Sequence, residues 1–306
     1  LILIGGCGIT MTAVNDLYFH FTFNGMSISD YGLYLYKLPF VLLLLGFSYK
    51  TREEVPHISF AIFALSLFYI AMIPLNLLAN GMQTTPFHPI DTFLIHMDDF
   101  LHFDTLSVLS WSHQYPTLIF ILKKAYNTSL PQILAVPFIL CVIDDRKGLQ
   151  RFFTVGLIAY LICSLTYYFL PTTAPASQFH SALLPSNQHF IAERFYQVHH
   201  SLPVKAPYAG MVAFPSPHVI YALVILFATY QRKWLFYPLA ILNAVLIAST
   251  VLLGWHYLMD VIASITIVSS LAIANEKIYI WLMADEKTKA LFENKKPFAL
   301  FNKGFK

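Results

Sequence analysis

Two histidines, each at the start of a hydrophobic stretch, are the residues of this chain best suited to chemistry. His218 ends the segment Phe-Pro-Ser-Pro-His at 214–218, and an apolar run follows it. His256 lies in Gly-Trp-His-Tyr-Leu-Met-Asp at 254–260, again ahead of an apolar stretch. Polar groups that transfer protons are energetically costly close to lipid, so such residues are functional candidates.

The spacing of the neighbouring residues indicates which chemistry these histidines can do. Asp260 follows His256 by four positions, so the two side chains share one face of a helix. A carboxylate there can hold one imidazole nitrogen as N–H and leave the other to attack. Ser216 suits the N-cap of the helix that carries His218, and the N-terminus of a helix favours an anion such as phosphate. The set predicts phosphoryl transfer: His256 as nucleophile, Asp260 as its orienting partner and His218 as the proton donor.

The same motifs also fit plainer interpretations when each is taken alone. Pro-Ser-Pro-His is a common way to start a helix, and His-x-x-x-Asp is compatible with a structural hydrogen bond. Together they favour a reactive site, because both lie on one predicted face of the membrane. The predicted chemistry requires neither a metal nor a cofactor.

The composition places the chain among membrane proteins. Of its residues, 57% are hydrophobic and 11% are charged, against about 25% charged in soluble domains. The mean hydropathy is +0.61. A formal net charge of +3 gives no reason to expect a nucleic-acid partner, and the bilayer is the expected environment.

Seven stretches are long and apolar enough for spanning helices, which need about 20 residues. They cover 31–49, 58–79, 125–143, 152–170, 217–230, 234–253 and 257–283, and 1–17 predicts a truncated eighth helix. No strand-like alternation is sustained. The sequence therefore predicts an all-α, polytopic bundle, with residues 1–283 forming one integral membrane domain and 284–306 a basic tail.

Lysine and arginine are distributed unevenly between the predicted loops. One side receives 50–57, 144–151, 231–233 and the tail, and it carries most of the basic residues. The other side receives the longer segments 80–124 and 171–216, with few. The positive-inside rule places the first side, with the C-terminus, in the cytoplasm. Both histidine motifs are then predicted on the non-cytoplasmic face, periplasmic or lumenal.

Residues 90–104 predict an amphipathic helix on the membrane surface. Apolar side chains share one of its faces, and the polar side chains Asp91, Asp98 and His102 share the other. We expect the polar face to be solvated. The alternative is a metal site built from His96, Asp98, Asp99 and His102.

The motifs resemble those of the type 2 phosphatidic acid phosphatase superfamily. That superfamily carries Pro-Ser-Gly-His and then Ser-Arg, five residues, His, three residues and Asp. Here Pro-Ser-Pro-His occupies 215–218, and Ser249-Thr250 precede His256 and Asp260 at the same spacing. The wider sequence, including Leu-Pro-Thr-Thr-Ala-Pro at 170–175, is most similar to the inositol phosphorylceramide synthase branch. The resemblance covers about 90–275, with its specific motifs confined to 171–261.

The resemblance implies a six-helix phosphatase-like core with extra N-terminal helices, and it assigns His256, Asp260 and His218 the roles given above. The chain departs from the family in three ways: Thr250 replaces an arginine, Pro217 replaces a glycine, and the motif Lys-x6-Arg-Pro is absent. Loop cations are candidates to replace the missing charge. The predicted substrate-binding residues are Ser216, Lys205, Arg194 and Ser249.

The leading functional hypothesis is a membrane phosphotransferase. It moves a phosphoalcohol headgroup from a phospholipid donor to a lipid alcohol acceptor, ceramide-like or another, through a phosphohistidine. One alternative is a lipid phosphate phosphatase, in which water is the acceptor. A second is a non-enzymatic lipid transporter or scaffold that keeps the fold with a decayed site. The motifs do not distinguish the first two, because both share the first half-reaction.

Overall fold

The structure is a computed structural model that describes residues 38–184, 188–200, 202 and 214–284, with five further residues before position 15. Over these ranges the chain is all-helical and forms twelve helices, without strands. The predicted helix at 1–17 lies largely outside the described residues, and the tail beyond 284 lies wholly outside them. The predicted all-α class is confirmed.

The helices fall into three groups by length and apolar character. Four are long and apolar enough to cross a membrane: α2 (Pro56–Met82), α7 (Arg146–Phe169), α11 (Lys233–Leu252) and α12 (Leu258–Ala284). Two shorter helices are also apolar: α1 (Leu38–Thr51) and α10 (Pro217–Thr229). The rest are α3 (Asp91–Phe100), α4 (Thr105–His113), α5 (Pro116–Tyr126), α6 (Ser129–Val142), α8 (Pro175–Gln178) and α9 (His189–His199).

The predicted span over 125–143 is interrupted near its start, since α5 ends at Tyr126 and α6 covers 129–142. The axes of α5 and α6 are bent by 47° relative to each other. If the two helices together cross the membrane once, they form a fifth span. The hydroxyl of Thr128 donates to the carbonyl oxygen of Ala125 at 2.6 Å. Pro131, in the first turn of α6, has no N–H with which to continue the helix. The chain therefore breaks at 127–128, beside the histidine motifs, as shown below.

The main apolar core lies between α2, α6, α7, α10 and α12. Phe68, Leu140, Phe152 and Val224 belong to it and are buried. Helices α7 and α10 approach very closely, since a Cβ added at Gly148 would lie 2.8 Å from the carbonyl oxygen of Ala228. Between membrane helices such close packing contributes stability that water-driven burial does not supply.

Charged residues join the ends of α7, α10 and α12. Arg151 is fully buried, and its guanidinium donates to Glu276 and to the hydroxyl of Tyr230, each at 2.7 Å. Lys147 pairs with the other oxygen of Glu276 at 3.2 Å. The sequence predicted a loop at 144–151, but α7 begins at Arg146. Helix formation lets these basic side chains find partners, since an unpaired buried charge is costly.

The turn between α11 and α12 depends on Gly254. Its φ is +72°, and a Cβ there would lie 2.6 Å from a methyl carbon of Leu184. We expect Gly254→Ala to lower the free energy of unfolding by about 2–4 kcal/mol, from left-handed backbone strain and overpacking. Thermal unfolding in detergent measures this. The matched control is Gly156→Ala, whose added Cβ would make only ordinary contacts, the nearest at 3.5 Å; equal melting of the two variants would contradict the argument.

Candidate active site

The first histidine motif forms the start of α10. The side chain of Ser216 accepts a hydrogen bond from the backbone N–H of Val219 at 3.4 Å, which caps the helix. Pro217 follows at the first helical position, where its missing N–H costs little. His218 therefore lies in the first turn, at the positive end of the helix dipole.

The second motif leaves α11 through the tight turn at Gly254. The backbone N–H groups of Trp255 and His256 both donate to the carbonyl oxygen of Thr250, at 2.9 and 3.0 Å. These bonds satisfy the end of α11 in the manner of a left-handed C-cap. They also fix the backbone of His256 to α11 before α12 begins.

His256 and Asp260 form the hydrogen-bonded pair that their spacing predicted. Nδ1 of His256 lies 3.0 Å from Oδ2 of Asp260, and both side chains are buried. The same Oδ2 accepts the backbone N–H of Tyr257 at 3.1 Å. Oδ1 of Asp260 has no hydrogen-bond partner within the described part of the chain. A carboxylate at Nδ1 favours the tautomer with its lone pair on Nε2, which is the arrangement a nucleophilic imidazole requires.

The structure brings the two histidines together. Their ring centroids are 6.1 Å apart, with an interplanar angle of 61°. The hydroxyl of Ser264, one turn after Asp260, lies 2.7 Å from the carbonyl oxygen of Asp260 and 3.2 Å from that of Ser216. This contact connects α12 directly to the cap of α10, so the two motifs have a fixed relation.

Tyr126, the last residue of α5, lies against the site. Its ring stacks on His218 with centroids 4.3 Å apart and on Trp255 at 5.1 Å. Its hydroxyl is 3.4 Å from Nδ1 of His218. This residue was not predicted to lie at the site, because the break after it was not predicted and Tyr126 was assigned to a continuous span.

The prediction of a solvated polar face is wrong for Asp91 and Asp98, whereas His102, just beyond the end of α3, is exposed as expected. Asp91 and Asp98 are buried, and their carboxylates contact the start of α12 and the segment after α7. The residues exposed on α3 include Phe93 and Phe100. In a membrane protein the surroundings of an outer helix include lipid, so its apolar side chains can face outward while its polar ones turn inward. Burial raises the pKa of both Asp91 and Asp98.

The two hydroxyl residues before the turn are buried within α11. Ser249 donates to the carbonyl oxygen of Leu246 at 2.6 Å, and Thr250 donates to that of Ile247 at 2.7 Å. Both residues are fully buried. Thr250 therefore uses its hydroxyl inside its own helix. Phosphate binding by Ser249, like that by Ser216, stays a prediction.

Of the two predicted phosphate-binding cations, Arg194 and Lys205, the structure describes only Arg194. Arg194 lies in α9, is buried, and donates from Nε to Oε1 of Gln83 at 3.0 Å. This contact ties α9 to the chain just beyond α2. Lys205 lies outside the described residues. A role in substrate binding stays a prediction for both.

The alternative metal site at and just beyond α3 gains no support from the part of the chain that the structure describes. Within those ranges no group of three or more histidine, cysteine, aspartate or glutamate side chains has an arrangement that would hold a metal ion. Both carboxylate oxygens of Asp98 already accept backbone N–H groups, while His96 and His102 are exposed.

A comparison with known families identifies the class of protein. A model of the PAP2 superfamily matches residues 92–274, a region that begins at the second residue of α3 and includes most of α12. The chain belongs to the PAP2 superfamily. No curated protein and no solved structure gives a significant match. Membership supports an enzyme of the lipid phosphatase or phosphotransferase type in a membrane with several spanning helices.

Proposed function

We propose that this protein is a membrane lipid phosphotransferase that carries a phosphoalcohol headgroup between lipids on His256. The supporting observation is the buried pair in which Nδ1 of His256 lies 3.0 Å from Asp260, with the ring of His218 next to it at 6.1 Å. One phosphate group can contact both imidazoles at this separation. The inositol phosphorylceramide synthase branch is the proposed nearest relative in function.

The first half-reaction forms a covalent intermediate. The Nε2 lone pair of His256 attacks the phosphorus of a glycerophospholipid, and the bond from phosphorus to the glycerol oxygen breaks. His218 gives a proton to that oxygen, so neutral diacylglycerol leaves. The imidazole gains positive charge as the N–P bond forms, and the carboxylate of Asp260 stabilises it.

The second half-reaction reverses these roles. The hydroxyl oxygen of an acceptor lipid attacks phosphorus, the P–N bond breaks, and neutral His218 takes up the hydroxyl proton. The headgroup is now on the acceptor, and both histidines return to their starting states. No step requires a metal ion.

The departures from the superfamily pattern motivate the choice of a transferase. Thr250 stands where the family has an arginine, and its buried hydroxyl is bonded within α11. A phosphate monoester carries up to two negative charges and benefits from several cations, whereas a phosphodiester carries one. A site with fewer cations suits the diester of a phospholipid better. We further propose that the active site faces away from the cytoplasm, because the distribution of basic residues predicts this orientation.

Acceptor-dependent transfer is the expected behaviour of the purified protein. Phosphorus-labelled phosphatidylinositol, phosphatidylglycerol, phosphatidylethanolamine and phosphatidic acid are each supplied in micelles with and without ceramide. We expect label from one diester donor to move to ceramide, with one diacylglycerol released per transfer, and unchanged rates in excess EDTA. Free phosphate from phosphatidic acid at a rate independent of ceramide would instead identify a phosphatase. Lipid movement without bond cleavage would identify a transporter.

A further inference from the structure

We propose that Asp98 and Asp91, the two buried carboxylates of α3, are positioning residues that hold the His256–Asp260 pair in its reactive arrangement. The proposal rests on the function proposed above, because it concerns the rate at which His256 reacts. Neither residue belongs to the histidine motifs. Both reach the site from a helix that lies far away in sequence.

Asp98 caps α12 from another helix. Its Oδ2 accepts the backbone N–H of Leu258 and its Oδ1 that of Met259, both at 2.9 Å. The residues just before α12 are Trp255, His256 and Tyr257, none of which is a favoured N-cap. The first N–H groups of α12 are therefore satisfied by the carboxylate of α3. This fixes the position of the first turn, from which Asp260 reaches back to His256.

Asp91 fixes Tyr257, the first of the three residues between His256 and Asp260. One of its oxygens accepts the hydroxyl of Tyr257 at 2.9 Å, and the other accepts the backbone N–H and hydroxyl of Thr173 at 2.9 and 3.1 Å. The backbone N–H of Tyr257 bonds to Asp260 at 3.1 Å. Tyr257 is thus held at both ends, by its ring hydroxyl on Asp91 and by its backbone on Asp260.

The placement of these carboxylates argues for more than stability. Burying a carboxylate is costly, and an apolar contact between α3 and α12 would stabilise the fold without that cost. Both carboxylates accept hydrogen bonds from residues 257–259, the three residues that separate His256 from Asp260. Asp91 also accepts hydrogen bonds from Thr173 and so connects Tyr257 to the segment after α7. Asp98 also occupies the anion-binding end of α12. A substrate phosphate is then directed to the N-terminus of α10, beside His218.

Three variants on α3 test the role of Asp98. We expect Asp98→Ala to lower kcat about 10- to 100-fold with KM changed less than about twofold, because small displacements of reacting groups cost this much. Asp98→Asn keeps one acceptor oxygen and should recover part of the loss, leaving kcat several-fold below that of the wild type. The matched control is Asp99→Ala, the exposed neighbour, with unchanged kcat. Rates are measured with the donor and ceramide on which the wild-type protein is active.

A second measurement does not depend on activity. Hydrogen exchange followed by mass spectrometry, in detergent, should show faster exchange at the amides of 257–260 in Asp98→Ala, by about tenfold or more. Asp99→Ala should leave them protected. If the wild-type protein turns over no donor, the proposed function fails, while the exchange still reports whether Asp98 anchors α12.

Two results would contradict the roles proposed for Asp98, one in kcat and one in hydrogen exchange. Asp98→Ala with a kcat within twofold of wild type removes the positioning role, and so does a loss confined to KM. Unchanged exchange at 257–260 removes the anchoring itself. If Asp98→Ala does not fold, Asp98→Asn tests the positioning role instead. We expect a several-fold loss of kcat at constant KM in that variant, and a wild-type kcat would contradict the role.

Discussion

Replacing His256 by alanine should abolish turnover while leaving the protein folded. The imidazole supplies the atom that bonds to phosphorus, so its removal removes the bond-forming atom itself. Losing the nucleophile of a covalent enzyme lowers kcat by about 10⁴- to 10⁶-fold. Release of diacylglycerol from the labelled donor measures this loss, and thermal unfolding confirms that the variant is folded.

The control for this result is another histidine on the same side of the protein. His96 is exposed on α3, and His96→Ala should keep the wild-type rate. A His256→Ala protein that still releases diacylglycerol at more than a hundredth of the wild-type rate would show that another residue is the nucleophile. Equal losses in both variants would point to a general effect on the fold.

Asp260→Asn should reduce kcat through lost charge more than through lost orientation. Both hydrogen bonds of this carboxylate, from Nδ1 of His256 and from the N–H of Tyr257, go to one oxygen, Oδ2. An amide oxygen in that place can accept both, and the amide nitrogen then occupies the position of Oδ1, which has no described partner. The histidine keeps its tautomer, but the negative charge that stabilises the imidazolium is gone.

The expected loss of kcat in Asp260→Asn follows from the electrostatic interaction between the carboxylate and the imidazolium. Two unit charges about 4 Å apart interact by about 4 kcal/mol at an effective dielectric constant near 20, which corresponds to about 10³-fold in rate. We expect Asp260→Asn to lower kcat by about 10²- to 10³-fold, and Asp260→Ala by about tenfold more because orientation is lost too. Asp144→Asn, in an ion pair with Arg146 where α7 begins, is the control. An Asp260→Asn enzyme within threefold of wild type would remove the electrostatic role.

The sequence predicted the helices well where they are long and uniformly apolar. Four predicted spans agree with helices of the structure to within two residues at nearly every terminus. They are 58–79 for α2, 217–230 for α10, 234–253 for α11 and 257–283 for α12. Local periodicity and apolar length are enough for such segments. The break after Tyr126 was missed because it depends on the hydroxyl of Thr128 and on a proline three residues later, within a stretch whose hydropathy stays high.

The catalytic motifs were accessible from sequence because their spacing is local. His256 and Asp260 are four residues apart, and a helix brings them onto one face. Asp98 and Asp91 were assigned to a solvated face, with a metal site as the alternative for Asp98. Their contacts with α12 were not predicted, because the partners are 160 and 166 positions away along the chain. Polar residues recur along a helix with the same spacing whether their side chains contact protein or water. Only the three-dimensional arrangement separates them.

The proposed mechanism requires that His256 becomes covalently bonded to the phosphorus of the substrate. The direct test is rapid acid-free quenching of the wild-type protein with phosphorus-labelled donor in the absence of acceptor, followed by peptide mapping. We expect label on the protein that is stable in base and labile in acid. The label should map to His256 and disappear when ceramide is added. Label on another residue, or a fully active protein that never carries label during a single turnover, would contradict it.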